Sequence, residues 1–162
     1  MKINLHSDIT AAVLKKLYQI MLTIRRFEEK IIEVYPVQDM KTPVHLYIGQ
    51  EAVAAGVCAN LEQEDCIFST HRSHGHYLAK GGDLKKMIAE LYGKSTGCSR
   101  GKGGSMHLVD IGVNFMGSTA IVGGTIPIGV GLGLSIKLNK TDQISCVFLG
   151  DAAIEEGVFY ES

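Results

Sequence analysis

The chain has 162 residues, enough to build a domain around a hydrophobic core. With 46% apolar and 20% charged residues, it is not a disordered polymer. A formal net charge of −1 gives no electrostatic reason to expect nucleic acid or an anionic membrane as a partner. Nineteen glycines beside three prolines point to close backbone approaches rather than to a flexible linker. Most lie between Gly93 and Gly157, so a ligand is expected in that half. Cys58, Cys66, Cys98 and Cys146 are scattered, with no C-x-x-C, which speaks against a disulfide framework or a zinc site and fits a reducing compartment. The start, Met1 to Asp8, has no signal-peptide core, and no apolar run is long enough to span a bilayer. The cytoplasm is the expected location.

The first predicted element is a long helix. Val13, Leu17, Ile20, Ile24, Phe27, Ile31 and Val34 recur at alternating steps of four and three and draw one stripe. Pro36 stops the run, so it is read as a helix clamped onto a core or a partner subunit, not as a coiled coil. A second helix is expected from near Gln50 toward Asn60, its small residues permitting a close contact. Cys66 to Thr70 is a strand candidate. Asp83 is a good N-cap for a helix carrying Leu84, Met87, Ile88 and Leu91, with Gly93 as its stop. Gly97 to His107 reads as a glycine-rich loop. Another helix is expected from Pro127 to Leu138, then a buried parallel strand from Ile144 to Leu149, then a new helix soon after Asp151. Helices between short buried strands predict an α/β parallel sheet.

Ligands of parallel sheets collect beyond the carboxyl ends of the strands. Asp151 follows the last predicted strand, and a single carboxylate beside a diphosphate suits magnesium. The plain alternative is that Asp151 only N-caps the next helix. His71-Arg72-Ser73-His74-Gly75-His76 follows the earlier strand. Arg72 offers a bidentate fork for phosphate, and His74 a donor or proton shuttle; a solvated polar loop is the alternative, and a zinc site the weaker one. Ser99 to His107 looks like a phosphate cradle, yet the spacing of Gly97, Gly101, Lys102 and Gly103 departs from the Walker pattern. Gly129, Gly131 and Gly133 are read as tight helix packing rather than a dinucleotide fingerprint.

Taken together, the motifs resemble the alpha subunits of thiamine-diphosphate-dependent 2-oxo acid dehydrogenases, such as the pyruvate and acetoin enzymes. The matching stretches are His45 to Ala52, Thr70 to Gly75, Gly101 to His107, Asn114 to Gly117, Ile121 to Gly124 and Gly150 to Ala153, in the family's order. The resemblance implies the thiamine-diphosphate-binding fold, a parallel sheet flanked by helices, incomplete in this chain. Residues 1–40 would be an amino-terminal helical segment and 41–162 the first part of the cofactor domain. It implies Asp151 as a magnesium ligand, and Arg72 and His71 as diphosphate contacts. Ala120 and Val122 would meet the aminopyrimidine ring. Gly150, Ala152 and Ala153 would form the turn under the diphosphate, with His74 facing the substrate channel.

The implied reaction is decarboxylation of a 2-oxo acid with acyl transfer to a lipoyl group on an acyltransferase component. The implied partner is a beta subunit, which in the family supplies the activating glutamate, in a heterotetramer. Ala152 stands where glycine is usual, and His71 where tyrosine is commoner. The second magnesium ligand of the family, an asparagine, falls beyond Ser162, so these residues alone are expected to bind cofactor poorly and to be inactive. A short homologue serving as an interaction piece, and a transketolase-like enzyme, are the alternatives.

Overall fold

The computed structural model describes residues 9–40 and 42–162. The segment Met1 to Asp8, read above for a leader, lies outside them. The first helix, α1 (Ala11–Val34), begins where the Thr10 hydroxyl accepts the Val13 N–H at 3.3 Å. It gives way to a 3-10 turn over Tyr35–Val37, where Pro36 has no N–H to continue the ladder. Its stripe is covered only toward the carboxyl end. Ile24, Phe27 and Ile31 are buried, whereas Val13 and Tyr18 are exposed. Glu28 is buried among them with no exposure at all.

Helix α2 (Glu51–Cys58) packs on α1, with Ala54 clustered against Ile24, a small residue that permits the approach. The Glu51 carboxylate fastens that junction: it accepts the Gly49 N–H and lies 2.6 Å from Arg25 Nε. The strands are β1 (Cys66–Ser69), β2 (Phe115–Ser118) and β3 (Ser145–Val147). They form one parallel sheet in the order β2-β1-β3, with Ile67 opposite both Phe115 and Cys146. The predicted α/β class with a parallel sheet flanked by helices is what is observed. All of β1 is buried, as a strand covered on both faces must be. Asp65 aligns the entry of β3 by accepting the Ile144 N–H at 2.7 Å and the Glu62 N–H at 2.8 Å.

Between β1 and β2 run α3 (His74–Ala79) and α4 (Leu84–Leu91). The Asp83 carboxylate caps α4 as predicted, accepting from the Lys85 and Lys86 N–H groups, and Gly93 at φ +65° closes it. Helix α3 stands where a polar loop was an open reading. Ile67, Tyr77, Met87, Leu91, Leu108 and Phe115 fill the core; all but Tyr77, with its polar hydroxyl, each contribute roughly 1.5–3 kcal/mol through burial.

Helix α5 (Ile126–Asn139) connects β2 to β3 and lies against β3. A Cβ on Gly129 would meet Val147 Cγ2 at 2.1 Å, so that glycine is the close contact expected. Gly131 would meet nothing, and Gly133 only Ser145 at ordinary distance. The tight-packing reading therefore holds for Gly129 alone. After β3 the chain makes a 3-10 turn over Asp151–Glu155 before the short helix α6 (Gly157–Glu161). The single helix expected there is split in two.

Candidate cofactor cleft

The loop that looked like a phosphate cradle already holds an anion. Glu90, in the last turn of α4, is fully buried. Its Oε2 accepts the N–H groups of Ser99 and Gly101, both at 2.8 Å. Its Oε1 accepts those of Gly103 at 2.7 Å and Gly104 at 3.3 Å. Four backbone donors thus close on one carboxylate, as they would on a phosphate. The glycines are required by this closure. A Cβ at 103 would lie 2.0 Å from the His107 carbonyl oxygen, and Gly101, at φ +75°, has the Gly93 carbonyl oxygen 2.6 Å from where its Cβ would be. No bound phosphate fits there.

The three histidines after β1 go to three places. His74 is fully buried, its Nδ1 2.9 Å from Glu28 Oε1 and its Nε2 2.9 Å from Ser105 Oγ. With both ring nitrogens engaged between α1 and the glycine-rich loop, it does not line the cleft of this chain. The resemblance implies that His74 faces a substrate channel; within the described residues its ring is held between α1 and the glycine-rich loop. His76 lies between Ser69 Oγ at 2.7 Å and Tyr47 Oη at 2.8 Å. His71 meets His45 edge to face, with centroids 4.9 Å apart. Burial first, then His45 and Arg72, hold the His71 imidazole below its ordinary range. Among the described residues no group of three or more histidine, cysteine, aspartate or glutamate side chains could hold a metal by itself.

His71 and Arg72 come together with Asp151. Leu149, Gly150 and Asp151 from the end of β3, with Thr70, His71 and Arg72 from the end of β1, line one cleft of about 460 Å³. That volume falls within the range of small-molecule sites. An adjoining hollow of about 120 Å³ is shared by His71, Val122, Gly150, Asp151, Ala152 and Ala153. Of the remaining expected residues, Ala120 is exposed and lines neither space.

Asp151 is exposed and is the first residue of its 3-10 turn rather than its cap. Gly150 is the N-cap of that turn and Glu156 that of α6, so Asp151 caps neither. Gly150 has φ −85° and ψ 165°, which any residue adopts, and a Cβ there would meet nothing within 4 Å. No contact within the fold asks for glycine at this position; its effect is to leave room above the turn. The Arg72 guanidinium donates one Nη1 N–H to the Leu46 carbonyl, which pins its direction, and it has further N–H groups to offer. An acceptor-rich diphosphate bridged by a divalent cation fits this set: a cation on one side, an unengaged carboxylate on the other.

Sequence reasoning missed Tyr47, Gln50, Thr70, His76 and Phe148, all of which line the larger cleft. The stretch from His45 to Ala52 was singled out as a motif, but no role was attached to Tyr47 or Gln50. No helix of the described residues is long and apolar enough to cross a membrane.

Comparison with known proteins identifies the family. The family model described as the dehydrogenase E1 component matches residues 19–162. The alpha subunit of acetoin:2,6-dichlorophenolindophenol oxidoreductase from Bacillus subtilis (strain 168) is 48% identical over 90% of this chain and 44% of its own length. The pyruvate dehydrogenase E1 component subunit alpha of Rickettsia bellii is 45% identical over 91% of this chain and 45% of its own. A mitochondrial pyruvate dehydrogenase E1 alpha subunit of Oryza sativa is 40% identical over 94% of this chain and 39% of its own. The chain thus spans less than half the length of these relatives. With the family model matched across most of its residues, the chain belongs to the dehydrogenase E1 component family.

Proposed function

We propose that the chain is part of the alpha subunit of a thiamine-diphosphate- and magnesium-dependent enzyme that oxidatively decarboxylates a 2-oxo acid and transfers the acyl group to a lipoyl carrier. The observation that carries the reading is the shared cleft of Arg72, His71 and Asp151 at the ends of adjacent parallel strands. Asp151 would hold the magnesium ion, its carboxylate unengaged by the turn it starts. Arg72 would neutralise the diphosphate from the opposite wall. Gly150 would let the diphosphate approach the backbone, and Val122 and Ala153 would supply an apolar wall beside it. When bound, thiamine diphosphate supplies the electron sink for loss of carbon dioxide. A beta subunit would complete the site in a heterotetramer, and a lipoyl-bearing acyltransferase component would receive the acyl group.

The identity to the acetoin oxidoreductase subunit favours a second reading of the substrate, in which acetoin replaces the 2-oxo acid. Calorimetric titration of the full-length chain plus beta subunit with thiamine diphosphate and magnesium tests the cofactor assignment. Saturable, magnesium-dependent binding is expected, and its absence removes the proposal. Turnover of pyruvate against acetoin by the same assembly separates the two substrates.

A further inference from the structure

Resting on that cofactor reading, we infer that His76 is a positioning residue. Its ring ties the ends of β1 and β3 and the segment before α2 into one frame, which sets the opening between Arg72 and Asp151. The side chain belongs to α3 yet lines the larger cleft. Its Nδ1 lies 2.7 Å from Oγ of Ser69, the last residue of β1 and three before Arg72. Its Nε2 lies 2.8 Å from Oη of Tyr47, three residues before Gln50. Its face stacks on Phe148, centroids 3.8 Å apart and planes at 23°. Phe148 directly follows β3 and precedes Asp151 by three residues. One imidazole therefore reaches each of the three segments that wall the cleft.

The fit is close. A Cβ on Gly75 would lie 2.1 Å from Tyr47 Cδ1, so the tyrosine ring is seated against the α3 backbone beside His76. A neutral imidazole has one donor and one acceptor, and each hydroxyl can take either part. Burial holds His76 down at about 3, so the neutral form persists near neutral pH. The ring then serves as a strut rather than a proton shuttle.

Two variants of the assembled enzyme, full-length alpha chain with beta subunit, test this. Tyr47→Phe keeps the ring over Gly75 and deletes one hydroxyl. His76→Phe keeps the stack on Phe148 and deletes both hydrogen bonds. The readouts are the calorimetric Kd for thiamine diphosphate with magnesium and the melting temperature of the unliganded protein. Tyr47→Phe is expected to weaken cofactor binding roughly 5- to 10-fold, with His76→Phe weaker still. A lowered melting temperature with unchanged Kd in Tyr47→Phe overturns the inference and leaves the cofactor reading standing. If His76→Phe does not fold, Tyr47→Phe alone decides. Failure of the unsubstituted enzyme to bind cofactor is a separate result: it removes the cofactor reading, and this inference falls with it.

Discussion

Two glycine-bearing turns look alike as sequence and are opposites in the fold. Between Gly97 and Gly104 the backbone donors are turned inward on the Glu90 carboxylate. At Gly150-Asp151 a carboxylate is turned outward, over a glycine that neither its dihedral angles nor its neighbours require. The first is an anion site whose anion is built into the chain; the second presents a carboxylate that no group of the described residues engages. Glycine that the fold demands is evidence of packing; at Gly150 packing supplies no such demand.

The sharpest way to break this contrast is to remove the built-in anion. Glu90→Ala would strand four N–H donors, those of Gly103 and Gly104 buried and those of Ser99 and Gly101 partly so, and a loss of roughly 4 kcal/mol is expected. Glu90→Gln keeps one acceptor but turns an NH2 toward two donors, so roughly 2–4 kcal/mol should go. Urea unfolding of the purified protein measures both. A loss below about 1 kcal/mol in either variant would mean that the loop does not depend on its carboxylate. Asp151→Ala should behave in the opposite way. Its side chain is exposed and caps nothing, so stability should stay within about 0.5 kcal/mol of the parent. Magnesium-dependent cofactor binding by the assembled enzyme should be abolished. Normal affinity in that variant would return Asp151 to an ordinary surface residue.

A paired glycine test is gentler. Gly101→Ala places a Cβ against the Gly93 carbonyl at a positive φ and should cost over about 1 kcal/mol. Gly150→Ala has room and an allowed backbone, so the fold should not notice it. Cofactor binding should weaken, because the added methyl occupies the space left for the ligand. Equal unfolding midpoints for the two variants would show that the fold treats both glycines alike.

The sequence reported much of this arrangement, and where it failed the reasons are physical. Helix α4 was legible because Asp83 and Gly93 are local signals, and α1 because its stripe runs for six turns. Strand β2 was not, since Phe115-Met116-Gly117-Ser118 is four residues long and alternates weakly. That His71, Arg72 and Asp151 would line one cleft was legible because strand ends and motif order mark them. The true place of His74 was not: Glu28 is 46 residues before it and Ser105 is 31 after it. A clue existed in Glu28, which stands four after Ile24 and three before Ile31, on the apolar stripe itself. The function of Glu90 was hidden for the same reason, because its four donors begin nine residues downstream and belong to a loop with no periodicity.

The smallest expected effect concerns a third carboxylate that lies between the two extremes. Glu51 accepts a glycine's backbone N–H, as Glu90 does, but its other partner is the half-exposed Arg25. The Arg25 hydrogen bond, ahead of the Gly49 N–H, holds the Glu51 carboxyl below its ordinary value of 4.5. A carboxylate depressed in the folded state adds stability that is fully present above the unfolded value and fades as pH falls through the folded one. The melting temperature should therefore drop as pH is lowered from about 6 to about 3, and Glu51→Gln should flatten part of that drop. Solvent around Arg25 screens the pair, so the difference should be modest and should shrink further in salt. Glu51→Gln tracing the same acid profile as the parent would show that the α1–α2 junction is held by apolar packing such as that of Ala54 on Ile24. A carboxylate's reach into the backbone would then matter for stability only where, as at Glu90, water is shut out.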